Sequence, residues 1–317
     1  MPDDAQAIAS SLGRGTSWNQ QNYLGSPIRV RTRGFNYDDA TFSGYRSGKN
    51  REGSNMDVVG ELRAPKTVSA RYDTLVLTER HDIASAIQYE DTVRYARHFH
   101  ERLVEGNSGA TTYLYHSWLD TDRSNPAAWI AYERAAAPVW QCVASRINTS
   151  LASEGRGDRM HYLPAGLALT NLVERATQGY LDGVSGSSVP DTMGRIFLDN
   201  VHLTRLGTYY MSLVTYASVF KSSPVGAWAP AELGGSTARS LQELAWSSVS
   251  SYYANPANPS TDSCKALMRD SFCATYYSFT RNPGAMAACV SHFSQPSSAN
   301  PFHFDSATDR AYWFAAP

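Results

Sequence analysis

Asp199 and His202 are the residues of this 317-residue chain whose types and spacing could most directly perform chemistry. A carboxylate beside an imidazole fixes the tautomer of the ring and stabilises the imidazolium that forms when histidine accepts a proton. The pair follows an apolar run, Ile196–Leu198, and precedes an amphipathic segment that begins near Thr204. We therefore predict a strand, a short loop that displays both side chains, and a helix. The alternative is that the spacing arises by chance and that Asp199 only caps the helix.

The elements that must position this pair alternate along the chain. Three short apolar or aromatic runs are typical of buried strands: Thr74–Leu77, Thr111–Tyr115 and His161–Leu163. Segments of helical periodicity alternate with them: Asp91–Glu105, Asn125–Leu151 and Leu167–Leu181. The alternation predicts an α/β fold in which helices cover both faces of a parallel sheet.

Three details complete the predicted order of elements. Pro138 is expected to break the long helix that contains it. A further short strand is predicted near Asn22 or Ile28, and residues 34–56, rich in Gly, Ser, Asn and charge, are predicted to form a long loop.

Polar side chains follow each predicted strand end. Thr78 and Glu79 follow one strand, His116 and Trp118 follow the next, and Asp199–His202 follow the apolar run described first. In parallel sheets, ligands bind beyond the carboxyl ends of the strands. The agreement among three strand ends predicts one functional site at that edge.

Charge and hydropathy exclude some classes of function. A net charge of −1 and a pI of about 6.7 argue against a nucleic-acid partner. No apolar stretch approaches the roughly 18 residues that span a bilayer. No signal peptide is visible, so we expect a cytoplasmic location, or a secreted or periplasmic one if an upstream signal peptide is missing. The 19 Tyr and 7 Trp suit either a carbohydrate-binding surface or an ordinary aromatic core.

The chain has four cysteines: Cys142 lies in a predicted helix, whereas Cys264, Cys273 and Cys289 lie near the C-terminus. Their spacings match no zinc pattern. One disulfide among the last three is expected if the protein is exported, and the sequence does not choose the pair. In the same region His292, His303 and Asp305 could bind a metal, but their irregular spacing is more typical of loop residues.

The order and residue patterns of these segments resemble those of the SGNH (GDSL-like) hydrolases, a flavodoxin-like α/β family of serine esterases and deacylases. Residues 199–203, Asp-Asn-Val-His-Leu, look like the block in which Asp and His complete a Ser-His-Asp triad. Leu75–Glu79 resembles the segment of the third block, and Tyr113–Trp118 resembles the following strand in one bacterial subgroup. Gly25 matches the second-block glycine, whose backbone N–H helps to form the oxyanion hole.

The resemblance covers roughly residues 1–253 and carries expectations for both fold and chemistry. It implies a flavodoxin-like three-layer sandwich over residues 1–253, with a loop-rich C-terminal extension over residues 254–317. It implies hydrolysis of carboxylic esters, favouring short acyl groups on a carbohydrate or similar polar substrate, without a cofactor. The implied roles are general base and acid for His202, orientation of that ring for Asp199, oxyanion stabilisation for Gly25 and Thr78, and pocket lining for Glu79, His116 and Trp118.

One departure from the family concerns the oxyanion hole. Thr78-Glu79-Arg80-His81 stands where the family has Gly-x-Asn-Asp, so the asparagine donor has no counterpart. Thr78 or a backbone N–H is expected to replace it. A carboxylate would repel an oxyanion unless it were protonated or paired with Arg80, so Glu79 is expected to have a positioning role instead.

The nucleophile is not identifiable from the sequence. The family's serine follows the first strand, whereas this chain starts with a segment that resembles the helix after that turn. We therefore expect the first strand and its serine to be missing. The resulting unpaired strand edges would be covered by another segment or by a second copy in a homodimer. Serines with a partial match are Ser17, Ser26 and Ser108, and none of them follows an apolar strand.

Two other functions stay open beside ester hydrolysis. One is a binding module that keeps the fold without a nucleophile. The other is a metal-dependent hydrolase that uses His202 with other histidines.

Overall fold

A three-stranded sheet lies in the order β1 (Thr74–Thr78), β2 (Thr111–Tyr115), β3 (Met160–Leu163). The structure is a computed structural model that describes residues 1–33 and 48–309. Strands β1 and β2 are parallel, with Thr74 opposite Thr111 and Thr78 opposite Tyr115. The predicted α/β fold with a parallel sheet is confirmed. Most of the loop predicted over residues 34–56 lies outside the described residues.

Helices make up most of the remaining described chain. In chain order they are α1 (Pro2–Ser11), α2 (Ile28–Arg33), α3 (Val58–Arg63), α4 (Ile83–Tyr89), α5 (Thr92–Gly106), α6 (Ala127–Ser153), α7 (Ala165–Thr177), α8 (Val189–Ile196), α9 (Arg205–Phe220), α10 (Gly235–Ala254), α11 (Thr261–Leu267), α12 (Cys273–Phe279) and α13 (Met286–Ser294). A π-helical turn, Met268–Phe272, joins α11 to α12. Among the described residues, no helix is both long and apolar enough to cross a bilayer.

The segment near Ile28 forms helix α2 and not the predicted strand. Pro27 directly precedes the helix, where its fixed φ suits helix initiation. The backbone N–H of Ile28 donates to Oε1 of Glu79 at 3.0 Å, and a carboxylate at a helix N-terminus is favourable. This partner lies 51 residues away along the chain, so local propensity does not reveal it.

The apolar run Ile196–Leu198 is not a strand either. Ile196 ends helix α8, and Phe197 forms an isolated antiparallel bridge with Leu203. Ile196 and Phe197 are fully buried whereas the side chain of Leu198 is 68% exposed. The run therefore belongs to a turn between two helices and is not a strand of the parallel sheet.

Helix α6 continues through Pro138 without a break. Proline removes one backbone hydrogen bond from a helix. The next two side chains, Val139 and Trp140, are completely buried. Burying an aliphatic and an indole side chain outweighs the loss of one helical hydrogen bond, because each contributes about 1.5–3 kcal/mol or more.

Contacts divide the chain into two compact units that interleave in sequence. The first unit contains Met1–Ser17, His116–Ala137 and Leu163–Ala257; the second contains Trp18–Tyr115, Pro138–Tyr162 and the chain from Asn258 onward. In the first unit, α9 packs against α1 and α10. In the second, α5 packs against α3 and the strands β1 and β2. The domain boundary predicted after residue 253 stays a prediction.

Most of the predicted loop-rich extension is helical in the second unit, where α11, α12 and α13 follow one another. Two disulfides hold this region together. Cys142 of α6 is bonded to Cys264 of α11, and Cys273 of α12 is bonded to Cys289 of α13. The second bond lies within the C-terminal region, as expected, and the first joins that region to α6.

Strand β1 lies at one edge of the sheet as far as the described strands go. The side chain of Val76, in the middle of this strand, is 41% exposed. The predicted homodimer, in which a second copy would cover a strand edge, stays a prediction.

Candidate active site

The segment that carries Asp199 and His202 is a tight turn between two capped helices of the first unit. Ser188 caps α8, where its Oγ accepts from Asp191 N at 3.3 Å. Thr204 caps α9, and its Oγ1 also donates to Arg195 O at 2.6 Å. Between the caps, Leu198 N donates to His202 O at 2.8 Å. The turn is therefore fixed at both ends by local hydrogen bonds.

Asp199 holds the imidazole of His202 in a defined orientation. Its Oδ2 accepts from His202 Nδ1 at 2.7 Å, while its Oδ1 accepts from the backbone N–H groups of Val201 at 2.8 Å and of His202 at 2.7 Å. The hydrogen bond from the His202 backbone N–H, followed by that from Val201 and that from the ring, lowers the pKa of Asp199 to about 2. The charged carboxylate places the ring proton on Nδ1, which leaves the Nε2 lone pair as a base.

The Asp199–His202 pair is open to solvent. The side chain of Asp199 is 57% exposed and that of His202 is 75% exposed. Most of the His202 side chain is therefore accessible from solvent. In the described part of the chain, no hydroxyl or thiol lies within hydrogen-bond distance of this nitrogen, and all four cysteines are in disulfides.

The segment after β2 anchors this turn from the side. Trp118 Nε1 donates to Val201 O at 3.0 Å, and Thr121 N donates to Asn200 O at 2.8 Å. Arg123 Nη1 adds a third bond, to the Leu198 carbonyl at 3.0 Å. The Trp118 side chain thus contacts the turn through a hydrogen bond to the backbone of Val201. The role expected for Trp118, pocket lining, stays a prediction.

His116 is completely buried in the first unit, unlike the pocket-lining position expected for it. Its Nε2 lies 3.0 Å from Oε2 of Glu133, whose Oε1 accepts from Leu119 N at 2.7 Å. The ring also fills the space over Gly166, where a Cβ would come within 2.6 Å of it. Glu133 therefore ties His116 to the start of the segment that anchors the turn. Sequence reasoning missed Glu133, because a single glutamate inside a helix carries no motif.

Glu79 lies in the second unit and is buried. Its carboxylate accepts from Ile28 N at 3.0 Å, Arg80 N at 2.7 Å and Thr92 Oγ1 at 2.9 Å. Burial raises the pKa of Glu79, and the positive charge of Arg31 opposes that rise. These bonds join the start of α2, the end of β1 and the start of α5. The positioning role expected for Glu79 stays a prediction.

The two residues expected to stabilise an oxyanion are also in the second unit. The hydroxyl of Thr78 lies 3.0 Å from the carbonyl oxygens of both Glu79 and Tyr115, so its hydrogen is already engaged. Gly25 has a φ of +66°, the left-handed conformation that glycine adopts without strain. It lies in an exposed turn, in which the backbone N–H and the hydroxyl of Ser26 both donate to the carbonyl oxygen of Tyr23. Their role as oxyanion donors to His202 chemistry stays a prediction.

The other candidate residues have ordinary surroundings. Ser108 lies in the loop between α5 and β2, and Ser17 is exposed. His292 packs edge-on against Tyr89 at 5.3 Å between ring centroids. Across residues 1–33 and 48–309, no group of three or more His, Cys, Asp or Glu side chains is placed to hold a metal ion.

Comparison with known proteins adds a likeness in fold. No known protein family and no curated protein matches this sequence. A crystal structure of a DUF4886 family protein from Bacteroides uniformis ATCC 8492 is similar to it, with a TM-score of 0.53 and 10% sequence identity. The likeness covers 81% of this chain and 93% of that one. At this identity it shows a shared α/β fold and nothing about activity.

Proposed function

We propose that this protein is a hydrolase of carboxylic esters in which Asp199 and His202 form the acid–base pair. The observation that carries the proposal is the geometry of the pair. Nδ1 of His202 is bound to a carboxylate at 2.7 Å, and that carboxylate is itself held by two backbone N–H groups. This is the arrangement by which hydrolases orient an imidazole so that its other nitrogen can move protons.

In the proposed reaction, Nε2 of His202 accepts the proton of an attacking hydroxyl while its oxygen bonds to the carbonyl carbon of the ester. The imidazolium then gives the proton to the departing alkoxide oxygen as the C–O bond breaks. Asp199 stays ionised throughout and stabilises the imidazolium. The resemblance to the SGNH hydrolases favours a serine as the attacking group, followed by hydrolysis of the acyl-enzyme by water.

Short acyl groups on a carbohydrate or a similar polar molecule are the substrate class that we favour. The resemblance suggests this class, and the exposure of the pair is compatible with it. Because the His202 side chain is 75% exposed, a bulky leaving group can remain in solvent while its ester bond reaches Nε2.

A binding module without catalysis is the second candidate. It is favoured by one observation: among the residues that the structure describes, no hydroxyl or thiol is hydrogen-bonded to Nε2 of His202. In this case the pair would only stabilise the turn, and the protein would bind a ligand without converting it.

Hydrolysis of p-nitrophenyl acetate separates these candidates. We would compare the wild-type protein with His202→Ala, with Asp199→Asn, and with His81→Ala as an exposed control outside the pair. We expect His202→Ala and Asp199→Asn to lose roughly 10²- to 10⁴-fold in kcat/KM and His81→Ala to keep its activity. A serine-reactive fluorophosphonate, followed by peptide mapping, would identify the nucleophile.

Two results would reject the hydrolase proposal. One is the absence of turnover and of labelling in a folded wild-type sample, which would favour the binding module. The other is turnover that His202→Ala does not reduce, since the pair would then take no part in it.

A further inference from the structure

A cavity of about 330 Å³ in the second unit is not used by the proposed function. Helix α6 forms one wall with Arg146, helix α11 forms another with Lys265, and the segment after α13 closes it with His303. Phe302 and Phe304 also line it, although both residues are buried. Its volume is at the lower end of small-molecule sites, which is sufficient for a molecule the size of a monosaccharide.

The positive charge of Arg146 at this cavity is only partly compensated. Nε and Nη2 donate to the carbonyl oxygens of Phe302 and Phe304, at 2.8 and 2.9 Å. Within residues 1–33 and 48–309, Arg146 forms no ion pair and Nη1 has no acceptor. Burial and the neighbouring charge of Arg97 lower the pKa of Arg146, and the carboxylate of Asp309 opposes that fall. The guanidinium also lies 6.0 Å from the centroid of the Phe304 ring. An anion in the cavity would relieve this cost, because a partly buried charge is stabilised by a partner.

The other two basic groups at the cavity also lack a close buried partner. Lys265 is 21% exposed, and its ammonium lies 3.7 Å from the carboxylate of Asp262, which is 96% exposed. The ring of His303 makes no hydrogen bond to another described residue. Asp305 is the nearest carboxylate to it in sequence and is itself exposed, with one oxygen accepting from Thr308 N at 2.7 Å.

Five hydroxyl side chains line the cavity, and that of Ser150 is already bonded to Arg97 Nη1 and Ile147 O. The other four divide into donors and acceptors. Thr149 and Ser153 already donate into α6, to Ser145 O at 3.0 Å and to Ser150 O at 2.7 Å, so they can only accept from a ligand. The hydroxyls of Thr261 and Ser306 have no acceptor among the described residues and can donate. A molecule that carries both an anionic group and hydroxyl groups would satisfy all four.

We propose that this cavity binds a small organic oxyanion, a sugar-sized polyol that carries a carboxylate or phosphate group. Nη1 of Arg146 and Nζ of Lys265 receive the anionic oxygens, and Thr261 and Ser306 donate to them. The ligand's hydroxyl groups donate to Thr149 and Ser153. This site is independent of the Asp199–His202 pair.

Isothermal titration calorimetry of the intact protein tests the proposal at an ionic strength of about 0.15 M, which suppresses non-specific surface binding. The titrants are glucuronate, glucose 6-phosphate and uncharged glucose. We expect saturable binding of glucuronate or glucose 6-phosphate and none of glucose. Binding of one alone identifies the anionic group as carboxylate or as phosphate.

Matched charge reversals locate the binding. Lys265→Glu is expected to weaken the anion's affinity roughly 10- to 100-fold, since each hydrogen bond to a charged group contributes about 1.5–3 kcal/mol. Lys66→Glu makes the same change in net charge at an exposed position of the same unit and should leave the affinity unchanged. Circular dichroism checks the fold, and Ser306→Ala supplies a milder second variant.

Three results would overturn the proposal. They are the absence of saturable binding by both anions, equal binding of glucose, and equal affinities for the two charge reversals. If Lys265→Glu does not fold, Ser306→Ala decides. An unchanged affinity in that variant would show that the anion does not bind in the cavity.

Discussion

The indole Nε1 of Trp118 donates a hydrogen bond to the carbonyl oxygen of Val201 at 3.0 Å. Val201 lies between Asp199 and His202, and its own N–H is bound to the Asp199 carboxylate at 2.8 Å. The peptide units on the two sides of Val201 are thus held from opposite directions, one by the carboxylate and one by the indole. The turn that carries Asp199 and His202 is therefore bonded to a side chain that lies more than 80 residues earlier in the sequence.

Trp118→Phe should lower the catalytic rate without unfolding the protein. Phenylalanine keeps an aromatic ring at the position and removes the Nε1 donor together with one ring of the indole. The loss of one hydrogen bond, about 1 kcal/mol, predicts a fall in kcat of roughly fivefold with little change in KM. Steady-state kinetics with p-nitrophenyl acetate measures this, and Trp228→Phe serves as a control in the same unit. A rise in KM at constant kcat would instead indicate direct contact between Trp118 and the substrate.

The carboxylate of Asp199 should remain charged in moderately acidic solution. Its pKa of about 2 lies below the ordinary value of 3.8, so the folded turn binds this proton less readily than the unfolded chain. The stabilisation is complete above the ordinary pKa and is lost as the pH falls through about 2. Carboxyl-carbon NMR can follow the titration, with Asp199→Asn to assign the signal. A midpoint near or above 3.8 would mean that the hydrogen bonds to Val201 and His202 are absent in solution.

Gly166→Ala should destabilise the first unit. The new Cβ would lie 2.6 Å from the buried ring of His116, which must shift away from Glu133. Overpacking of this kind costs about 1–3 kcal/mol, more than the gain of about 1 kcal/mol from replacing glycine in a helix. Thermal unfolding followed by circular dichroism measures the effect.

Gly235→Ala is the matched control for that substitution, since nothing lies within 4 Å of a Cβ at this helical glycine of the same unit. We expect it to be neutral or slightly stabilising. Equal melting temperatures for the two variants would show that the His116 ring moves aside at no cost.

The two disulfides should differ in their contribution to the stability of the second unit. Cys142–Cys264 closes a loop with a sequence separation of 122, and Cys273–Cys289 closes one of 16. Loop-closure entropy predicts a loss of about 4–5 kcal/mol on removing the first bond and about 3 kcal/mol on removing the second. Urea unfolding of the two paired Cys→Ser variants tests this order. A larger loss from the shorter loop would show that native-state strain or residual denatured structure dominates.

Local sequence carries much of the fold. The runs predicted to be strands at Thr74–Leu77 and Thr111–Tyr115 form the parallel pair β1 and β2. The stripe Val93, Ala96, Phe99 and Leu103 is buried along α5, as its spacing predicts. These elements are predictable because period-two and period-3.6 patterns mark the buried face of a segment whatever it packs against.

Where local patterns failed, a distant partner decided the outcome. The segment at Ile28 is helical with its N-terminal N–H bound to Glu79, and Pro138 remains in a helix whose neighbouring side chains are buried. The pairing of Cys142 with Cys264 depends on tertiary structure that brings their Cα atoms to 5.6 Å across a sequence separation of 122. Contacts of this kind leave no mark on the residues next to them in the sequence.

The same division applies to the candidate site. The Asp-x-x-His spacing predicts that Asp199 and His202 meet, because residues three positions apart in one tight turn lie close together. Tertiary structure alone decided that Trp118 anchors this turn and that Glu133 holds His116. The physical reason is that a hydrogen bond between distant residues depends on where packed helices bring their donors and acceptors, whereas a bond within a turn depends only on its own backbone.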